Sequence, residues 1–476
     1  MPHNFKDDQG LIVVSNRLPV SLECADGTCH SSVVSGGLVT ALSPVLTASK
    51  GTWIGWAGTP DAEGVDEALR LFSEETGYRL LQVGLTAEQI DDFYFGFTNQ
   101  IIWPLFHASQ FECDFNPDYW RTYLDVNELF AFRTVETGNE DDYVWVHDYH
   151  LMHVAKYMRE AGDCRRTGFF LHIPFPSVDR FKHLPWRTEL LQALLEYDQI
   201  GFQTLHDRRN FIQAISVLTP KVRVSGRGQV VHARVGSRVV KIGAFPISID
   251  YKNFYQTARS AGVRKATQQV HKALPNRSII LGVDRLDYTK GIPLRLKAMH
   301  RLLTMYPELQ GQVSLLQIVV PSRATIPLYA ELKKEIERLV GRINGEFSVP
   351  GYVAIHYQYR NLSFEELLAY YRASSIALVT PLRDGMNLVA KEYCAANVER
   401  TGVLVLSEFA GAAAQLRNGA ILVNPFDVEG VAAAIHQAYM MDKKERQGRM
   451  DRMRESIRKN DIFKWVDSFF ASAFAK

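Results

Sequence analysis

The sequence predicts an α/β protein built as two Rossmann-like, doubly wound halves. Two observations carry that reading. Short apolar or β-branched runs recur along the chain, each followed by a plausible helix, which is the pattern of a parallel sheet. These runs fall into two sets, separated by the extended stretch Ala244-Phe-Pro-Ile-Ser-Ile-Asp250. We place the boundary near residue 248, giving domains 1–247 and 248–476. A chain of 476 residues is long enough for two or three domains with sizeable cores. No fixed short-period repeat is visible.

In the first half, Leu11-Ile-Val-Val-Ser15 reads as the opening strand. Arg17 follows at its carboxyl end, where open α/β sheets bind ligands. Ser35-Gly36-Gly37-Leu38 opens a helical stretch. Paired glycines permit close backbone approach to a phosphate or sugar, and they serve plain turns equally well. Gly51–Gly58 reads as a strand with two tryptophans, and residues 91–107 carry an aromatic cluster. Such clusters are usually core, although sugar rings also stack on them. Further strands are expected at 143–147, 168–172 and 198–203. Residues 221–241 hold Lys221, Arg223, Arg227, Arg234, Arg238 and Lys241 with no acid. They suggest short antiparallel surface strands with a solvated basic face and no assigned role.

In the second half, strands are expected at 278–283, 313–320, 375–380, 402–406 and 420–423, with helices from about 443 onward. Phe463, Trp465, Val466, Phe469 and Phe470 give the last helix an apolar face that must dock.

Composition narrows the class. A hydrophobic fraction of 46% and a charged fraction of 22% are ordinary for a soluble globular chain. The net charge of +2 implies neither a nucleic-acid nor a membrane partner. Five cysteines without a C-x-x-C pair fit a reducing compartment. The N-terminal residues are polar and no apolar run approaches the roughly 20 residues of a membrane span, so a cytoplasmic protein is expected.

The chemistry centres on Thr380-Pro-Leu-Arg-Asp-Gly-Met-Asn-Leu-Val-Ala-Lys-Glu392. A buried strand ends at Pro381, turns at Asp384-Gly385, and opens a helix read as Met386–Ala396. Free N–H groups and the dipole at a helix start suit an anion. Asp384 and Glu392 add carboxylates, one able to bind a sugar hydroxyl and the other a ribose. Asp284-Arg-Leu-Asp-Tyr-Thr-Lys-Gly291 and Pro321-Ser-Arg323 also follow strands. In a parallel sheet, Arg285, Lys290 and Arg323 would converge on the same edge, which suggests a phosphate or diphosphate ligand.

His147, His150 and His153 invite a zinc reading. Their i, i+3, i+6 spacing turns the third away from the first, and no H-E-x-x-H is present. Hydrogen-bonded histidines at strand and helix ends are the favoured alternative. No P-loop and no G-x-S-x-G occurs, which disfavours P-loop ATPases and serine hydrolases.

Together the motifs resemble one family. They are Val14-Ser-Asn-Arg17, Ser35-Gly-Gly37, Gly55-Trp56, Val146-His-Asp-Tyr-His-Leu151, Gly168-Phe-Phe-Leu-His-Ile-Pro-Phe-Pro176, Gly282–Gly291, Arg383–Glu392 and Leu406–Ala412. The chain resembles the trehalose-6-phosphate synthases, retaining glycosyltransferases of family 20 and of GT-B fold, from about residue 11 to 470. That resemblance implies two Rossmann-like domains facing a central cleft, an acceptor-binding domain first and a nucleotide-sugar-binding domain second. A last helix at 461–474 would cross back to the first domain. It implies glucose transfer from UDP-glucose, or from GDP- or ADP-glucose, to glucose 6-phosphate, with no cofactor and no metal. Arg285 and Lys290 would bind the donor diphosphate, with Gly36 or Gly37 close to it. Glu392 would hold the ribose. Asp384 and the N–H groups of Gly385, Met386 and Asn387 would hold the glucose, with Leu388 and Val389 near the phosphates. His172 would contact the donor sugar. Arg17, Trp56, Tyr94, Trp103, Asp148 and Arg323 would form the acceptor pocket, with Arg17, Tyr94 and Arg323 on its phosphate. The family's proposed route is front-face attack without a covalent nucleophile. Oligomeric state stays open, a homo-oligomer among the options.

Three rivals stand beside this reading. A glucosylglycerol-phosphate synthase would use a smaller acceptor. A glycoside hydrolase would pair Asp148 with Asp384 across a single bond. A catalytically dead homologue would lack part of the motif set.

Overall fold

The computed structural model describes residues 10–25, 28–33, 37–60, 64–108, 113–323 and 326–475. The chain divides into two compact units, Met1–Ile247 with Phe463–Lys476, and Ser248–Ile462.

The strands of the first unit are β1 (Leu11–Arg17), β2 (Val20–Ala25), β3 (Thr28–Val33), β4 (Thr52–Trp56), β5 (Arg79–Gln82), β6 (Tyr143–His147), β7 (Thr167–Leu171), β8 (Gln199–Phe202), β9 (Arg223–Ser225), β10 (Val230–Val235) and β11 (Arg238–Ala244). The main sheet runs β5-β4-β1-β6-β7-β8-β11-β10-β9, and β2 and β3 form a separate hairpin. From β5 to β11 the pairing is parallel. Leu11 to Asn16 of β1 are buried, as are all residues of β6 and β7. Coverage on both faces is why these strands read as continuous apolar runs.

The basic strip behaves differently from its sequence reading. It forms β9, β10 and β11, antiparallel to one another as expected, but β11 also pairs in parallel with β8. The strip therefore extends the main sheet, and two of its cations have structural work. Arg238 pairs with Glu196. The Lys241 ammonium donates to the carbonyls of Ser472, at 2.9 Å, and Ala475, at 2.5 Å. A cation is favourable at the carboxyl end of a helix, here Ile462–Phe474.

The apolar face of that helix docks on the first unit. The Trp145 ring lies 4.5 Å from Phe469, 4.9 Å from Phe470 and 5.0 Å from Trp465, centroid to centroid. Gly168 and Gly201 make room for it, because a Cβ on either would come within 3.0 Å of the Phe469 ring.

The second unit contains β12 (Ser278–Arg285), β13 (Val313–Val320), β14 (Ile355–Tyr359), β15 (Ile376–Val379), β16 (Val403–Ser407) and β17 (Ile421–Val423). Its sheet runs β14-β13-β12-β15-β16-β17, with all pairs parallel. Sequence reasoning did not anticipate β2, β3, β5 or β14. Arg79-Leu-Leu-Gln82 is too short to show a period, and Ile355-His-Tyr-Gln-Tyr359 is polar because β14 is an edge strand.

Both sheets have a topological switch point. Strand order reverses between β1 and β6 in the first unit and between β12 and β15 in the second. Ligands of open α/β sheets bind outside the carboxyl ends of strands at such points.

Candidate active site

In the second unit, the turns after β12 and β15 flank the switch point and are laced together. Asp287 shapes the first turn by accepting from the Thr289 N–H at 2.9 Å and its hydroxyl at 2.7 Å. Gly291 follows with φ 66°, and a Cβ there would stand 2.6 Å from the Thr380 carbonyl oxygen. Only glycine suits both the dihedral and the approach. The Leu382 N–H donates to the Thr289 carbonyl at 2.7 Å. The Lys290 ammonium and Asp384 Oδ2 then meet at 2.5 Å, each side chain 14% exposed.

Arg295 lies under this pair with its side chain fully enclosed. It bonds Asp284 Oδ2 at 2.5 Å, the Thr380 hydroxyl at 3.1 Å, Gln317 Oε1 at 3.2 Å and the Lys290 carbonyl at 3.4 Å. One guanidinium thus ties the strand ends that carry the site. Burial pushes the Asp284 carboxyl up, and Arg295 and Lys290 pull it back. Sequence reasoning missed Arg295. A signal was present, because it sits at core spacing among Ile292, Leu296 and Met299 on an otherwise apolar helix face.

The turn at Asp384 is held from behind by the motif ending at Ala412. The Asp384 N–H donates to the Phe409 carbonyl, at 3.2 Å, and the Gly411 N–H to the Asp384 carbonyl, at 3.1 Å. The Ala412 N–H reaches the Met386 carbonyl at 2.8 Å. A Cβ on Gly411 would fall 1.9 Å from the Gly385 oxygen, so the two turns touch backbone to backbone. The helix begins at Leu388, two residues later than expected. Asn387 is left-handed at φ 69° and caps the helix, its side chain accepting from the Ala390 N–H at 3.4 Å. Leu388 and Val389 therefore occupy the first turn, whose N–H groups have no intrahelical acceptor. The Met386 N–H already donates to Asp384 Oδ1 at 3.3 Å, and Asn387 Nδ2 to Oδ2 at 3.2 Å.

Glu392 accepts a 2.8 Å hydrogen bond from the Tyr371 hydroxyl, and burial raises its carboxyl above the ordinary value. The three cations are spread along the sheet edge. Lys290 faces Asp384 and Arg285 is exposed at the end of β12. Arg323, with φ 48°, lies 3.6 Å from Asp287 and donates to the Tyr329 hydroxyl at 2.7 Å. A positive φ outside glycine is strained and collects at functional positions.

In the first unit, Arg17 and Asp148 flank the other switch point. The Arg17 guanidinium sits 4.8 Å from the Trp56 ring centroid, over the backbone of Gly58. Desolvation lowers its proton affinity and Tyr94 opposes the shift, leaving it cationic at physiological pH. Trp56 and Tyr94 rings are 5.6 Å apart, and Tyr94 stacks on His150 at 6.0 Å. Tyr94 belongs to a π-helix, Ile90–Ile102, which passes into Trp103–Phe106. Its wide turns let the Tyr94 carbonyl accept from the Thr98 hydroxyl at 2.7 Å and Asn99 at 2.6 Å. Trp103 is buried against His107 and Tyr149. Asp148 takes φ 73°, ψ 168°, a region almost reserved for glycine, and accepts from the His172 N–H at 3.2 Å. Gly37 opens the helix Gly37–Ser49, and Gly36 lies outside the described residues.

His172 has both ring nitrogens engaged. Gln203 Oε1 accepts from the Ile247 N–H at 2.9 Å, so its Nε2 must donate to His172 Nδ1, at 3.3 Å. His172 Nε2–H then donates to His147 Nδ1, at 3.1 Å. Any contact of this ring with a sugar would have to use its C–H edge or displace a partner. Burial pushes the His172 and His153 imidazoles down to about 3, and that of His147 well below its usual range. His153 packs edge-on to Trp120 and Tyr123. The histidine cluster is thus three separate ring contacts. Among the described residues no group of three or more metal-ligating side chains gathers.

The buried imidazoles set a pH dependence. The unfolded chain takes up these protons near pH 6.5, whereas the folded unit holds His153 and His172 neutral down to about 3. Between those values only the unfolded state gains protons, so this stability is complete above about 6.5 and is lost progressively toward 3. His153→Phe is expected to flatten the fall of the denaturation midpoint across this window. An unchanged slope would remove His153 from the account.

The chain matches the family model "Glycosyltransferase family 20" over residues 9–474. It is 42% identical to a trehalose-6-phosphate synthase of Mycolicibacterium vanbaalenii, across 98% of this chain and 96% of the relative. An E. coli structure bound with UDP-2-fluoro glucose superposes with TM-score 0.86 at 36% identity, covering 98% of this chain and 99% of the other. A Burkholderia xenovorans UDP-forming α,α-trehalose-phosphate synthase in complex with glucose 6-phosphate gives 0.87 at 34% identity, covering 98% and 100%. With a family match over nearly its whole length and two parallel-sheet units bearing the motifs at their switch points, the chain belongs to glycosyltransferase family 20.

Proposed function

We propose that the chain transfers glucose with retention from UDP-glucose to glucose 6-phosphate, giving α,α-trehalose 6-phosphate and UDP. The observation that carries this reading is the near-complete match to structures bound with a UDP-sugar analogue and with glucose 6-phosphate. In this reading Lys290 and Arg285 neutralise the diphosphate as the glycosidic C–O bond breaks. Asp384 turns from Lys290 to the glucose hydroxyls, with Gly385, Met386 and Asn387 beside it. Leu388 and Val389 present the helix start to the phosphates, Gly37 approaches them, and Glu392 takes the ribose. His172 borders the transferred sugar, and Asp148 belongs to the acceptor pocket. Trp56, Tyr94 and Trp103 shape the acceptor pocket.

The test is a panel of UDP-, GDP- and ADP-glucose against glucose 6-phosphate, glucose and glycerol phosphate, read as nucleotide release. UDP release with trehalose 6-phosphate formation is expected. A preference for glycerol phosphate, or sugar release without an acceptor, would overturn the reading. Turnover is also expected to survive exhaustive EDTA treatment, because cationic side chains do the work of a divalent ion. Complete loss, restored by Zn²⁺ or Mg²⁺, would show otherwise.

Arg17 and Arg323 are proposed to take the acceptor phosphate. Removing one guanidinium from a phosphate site costs roughly 1.5–3 kcal/mol, about ten- to a hundred-fold. For Arg17→Ala and Arg323→Ala that loss should fall on the glucose 6-phosphate term, with donor Kd by calorimetry nearly unchanged. Collapse of donor affinity with phosphate preference retained would move these arginines to the diphosphate.

A further inference from the structure

The second unit carries an open cavity of about 780 Å³ away from the site already described. Ser374 and Ser375, just before β15, and Thr401, just before β16, place it at the amino ends of the strands. Lys290 and Asp384 follow the carboxyl ends of β12 and β15, at the opposite edge. The volume is that of a small-ligand site.

The lining is basic. It includes Arg264, His271, Arg372, Lys443 and Arg446, and Glu399 is the one acid among the described lining residues. Arg372 and Arg446 are committed to the fold. Arg446 donates to the carbonyls of Met441 (2.9 Å), Ala438 (2.7 Å), Tyr439 (2.9 Å) and Thr401 (3.2 Å). Arg372 pairs with Glu399 and donates to the Ala258 carbonyl at 2.6 Å. Arg446 leaves its charge in the wall with its donors used, whereas Glu399 offsets the charge of Arg372. Arg264 and Lys443 differ. Both are exposed, they stand on separate helices, Ala261–Ala273 and Lys443–Lys459, and neither enters an ion pair among the described residues.

Lys443 occupies the first position of its helix, directly after the Asp442 cap, and the helix dipole adds positive potential there; Glu445 in the same turn pairs with Arg449. The cavity therefore carries in its wall the charges of Arg264, Lys443 and Arg446, and Arg264 and Lys443 present exposed donors that no ion pair among the described residues engages. We propose that it is a second anion-binding site, taking a phosphate group between Arg264 and Lys443, either as the free ion or as a small phosphate monoester.

The test is calorimetric titration of the full chain with inorganic phosphate and, separately, with glycerol 2-phosphate. Wild type is compared with Arg264→Ala/Lys443→Ala. The variant is expected to lose one equivalent of phosphate, or to bind it about tenfold or more weakly, while UDP affinity and glucose transfer stay unchanged. Loss of both probes identifies a general phosphate-group site, and loss of inorganic phosphate alone narrows it to the free ion. Identical isotherms for both proteins with both probes would overturn the proposal. The single variants keep the test available if the double variant misfolds. Wild-type crystals soaked in arsenate give an independent reading. An anomalous peak between Arg264 and Lys443 is expected, and its absence at saturation would also count against the site.

Discussion

Lys290→Ala is expected to lower kcat/KM for the nucleotide sugar by about 10²–10³-fold in a protein that remains folded. The expectation rests on geometry at the second switch point. Lys290 is held by the Asp287 turn and by Gly291, and its ammonium stands 2.5 Å from Asp384 at the head of a helix start. A diphosphate arriving there meets a cation already fixed in place and only partly hydrated. Such a contact strengthens as the leaving group gains charge, so its loss falls on the transition state. A competing account is that Lys290 merely neutralises Asp384, both being only 14% exposed. The two accounts separate in a double-mutant cycle. If the pair is structural, Lys290→Ala/Asp384→Ala should recover activity lost in the single variants. If each residue touches the donor, the double variant should be at least as poor as the worse single one. Arg285→Ala should behave like Lys290→Ala, without the coupling to Asp384. A folded Lys290→Ala protein with near-normal turnover would withdraw the residue from the donor site.

Arg295→Met should destabilise the second unit by about 3–5 kcal/mol, the cost of leaving one member of a buried ion pair unmatched. Asp284 is 3% exposed and Arg295 fully enclosed, so water cannot replace the lost partner. Thr380 and Gln317 lose a donor in the same step. Adding Asp284→Asn should return part of the stability, because the stranded charge disappears even though the bonds do not come back. Chemical denaturation of both variants measures this, following a probe in the second unit. An unchanged midpoint in Arg295→Met would mean that the site floor is held by packing alone. Turnover should fall as well, since Arg295 also bonds the Lys290 carbonyl and Thr380.

Most of the fold was legible in the sequence, for a physical reason. Parallel strands buried on both faces must be continuous apolar runs, and β1, β6, β7, β13, β15 and β16 show themselves that way. Residues that follow such strands must stand at the carboxyl edge of the sheet. Arg17, Asp148, Arg285, Lys290, Arg323 and Asp384 could therefore be placed there without coordinates. The elements that escaped, β5 and β14 and the β2–β3 hairpin, are short or polar, so nothing local distinguishes them from loop.

The tertiary structure decided which groups meet. Strand order brings β12 beside β15, so Lys290 reaches a carboxylate 94 residues away, and Arg295 becomes the buried tie between neighbouring strand ends. The state of His172 also depends on distant chain, through Gln203 and the Ile247 N–H. The start of the helix at Leu388 follows from the left-handed turn at Asn387, which apolar periodicity does not report. Sequence by itself determined the two-sheet α/β class, the family resemblance and the strand ends that carry the chemistry, because periodicity and turn residues act locally. Pairing, burial of charge and tautomer were left to the tertiary structure, because each is set by partners that only the packed sheet brings within hydrogen-bond range.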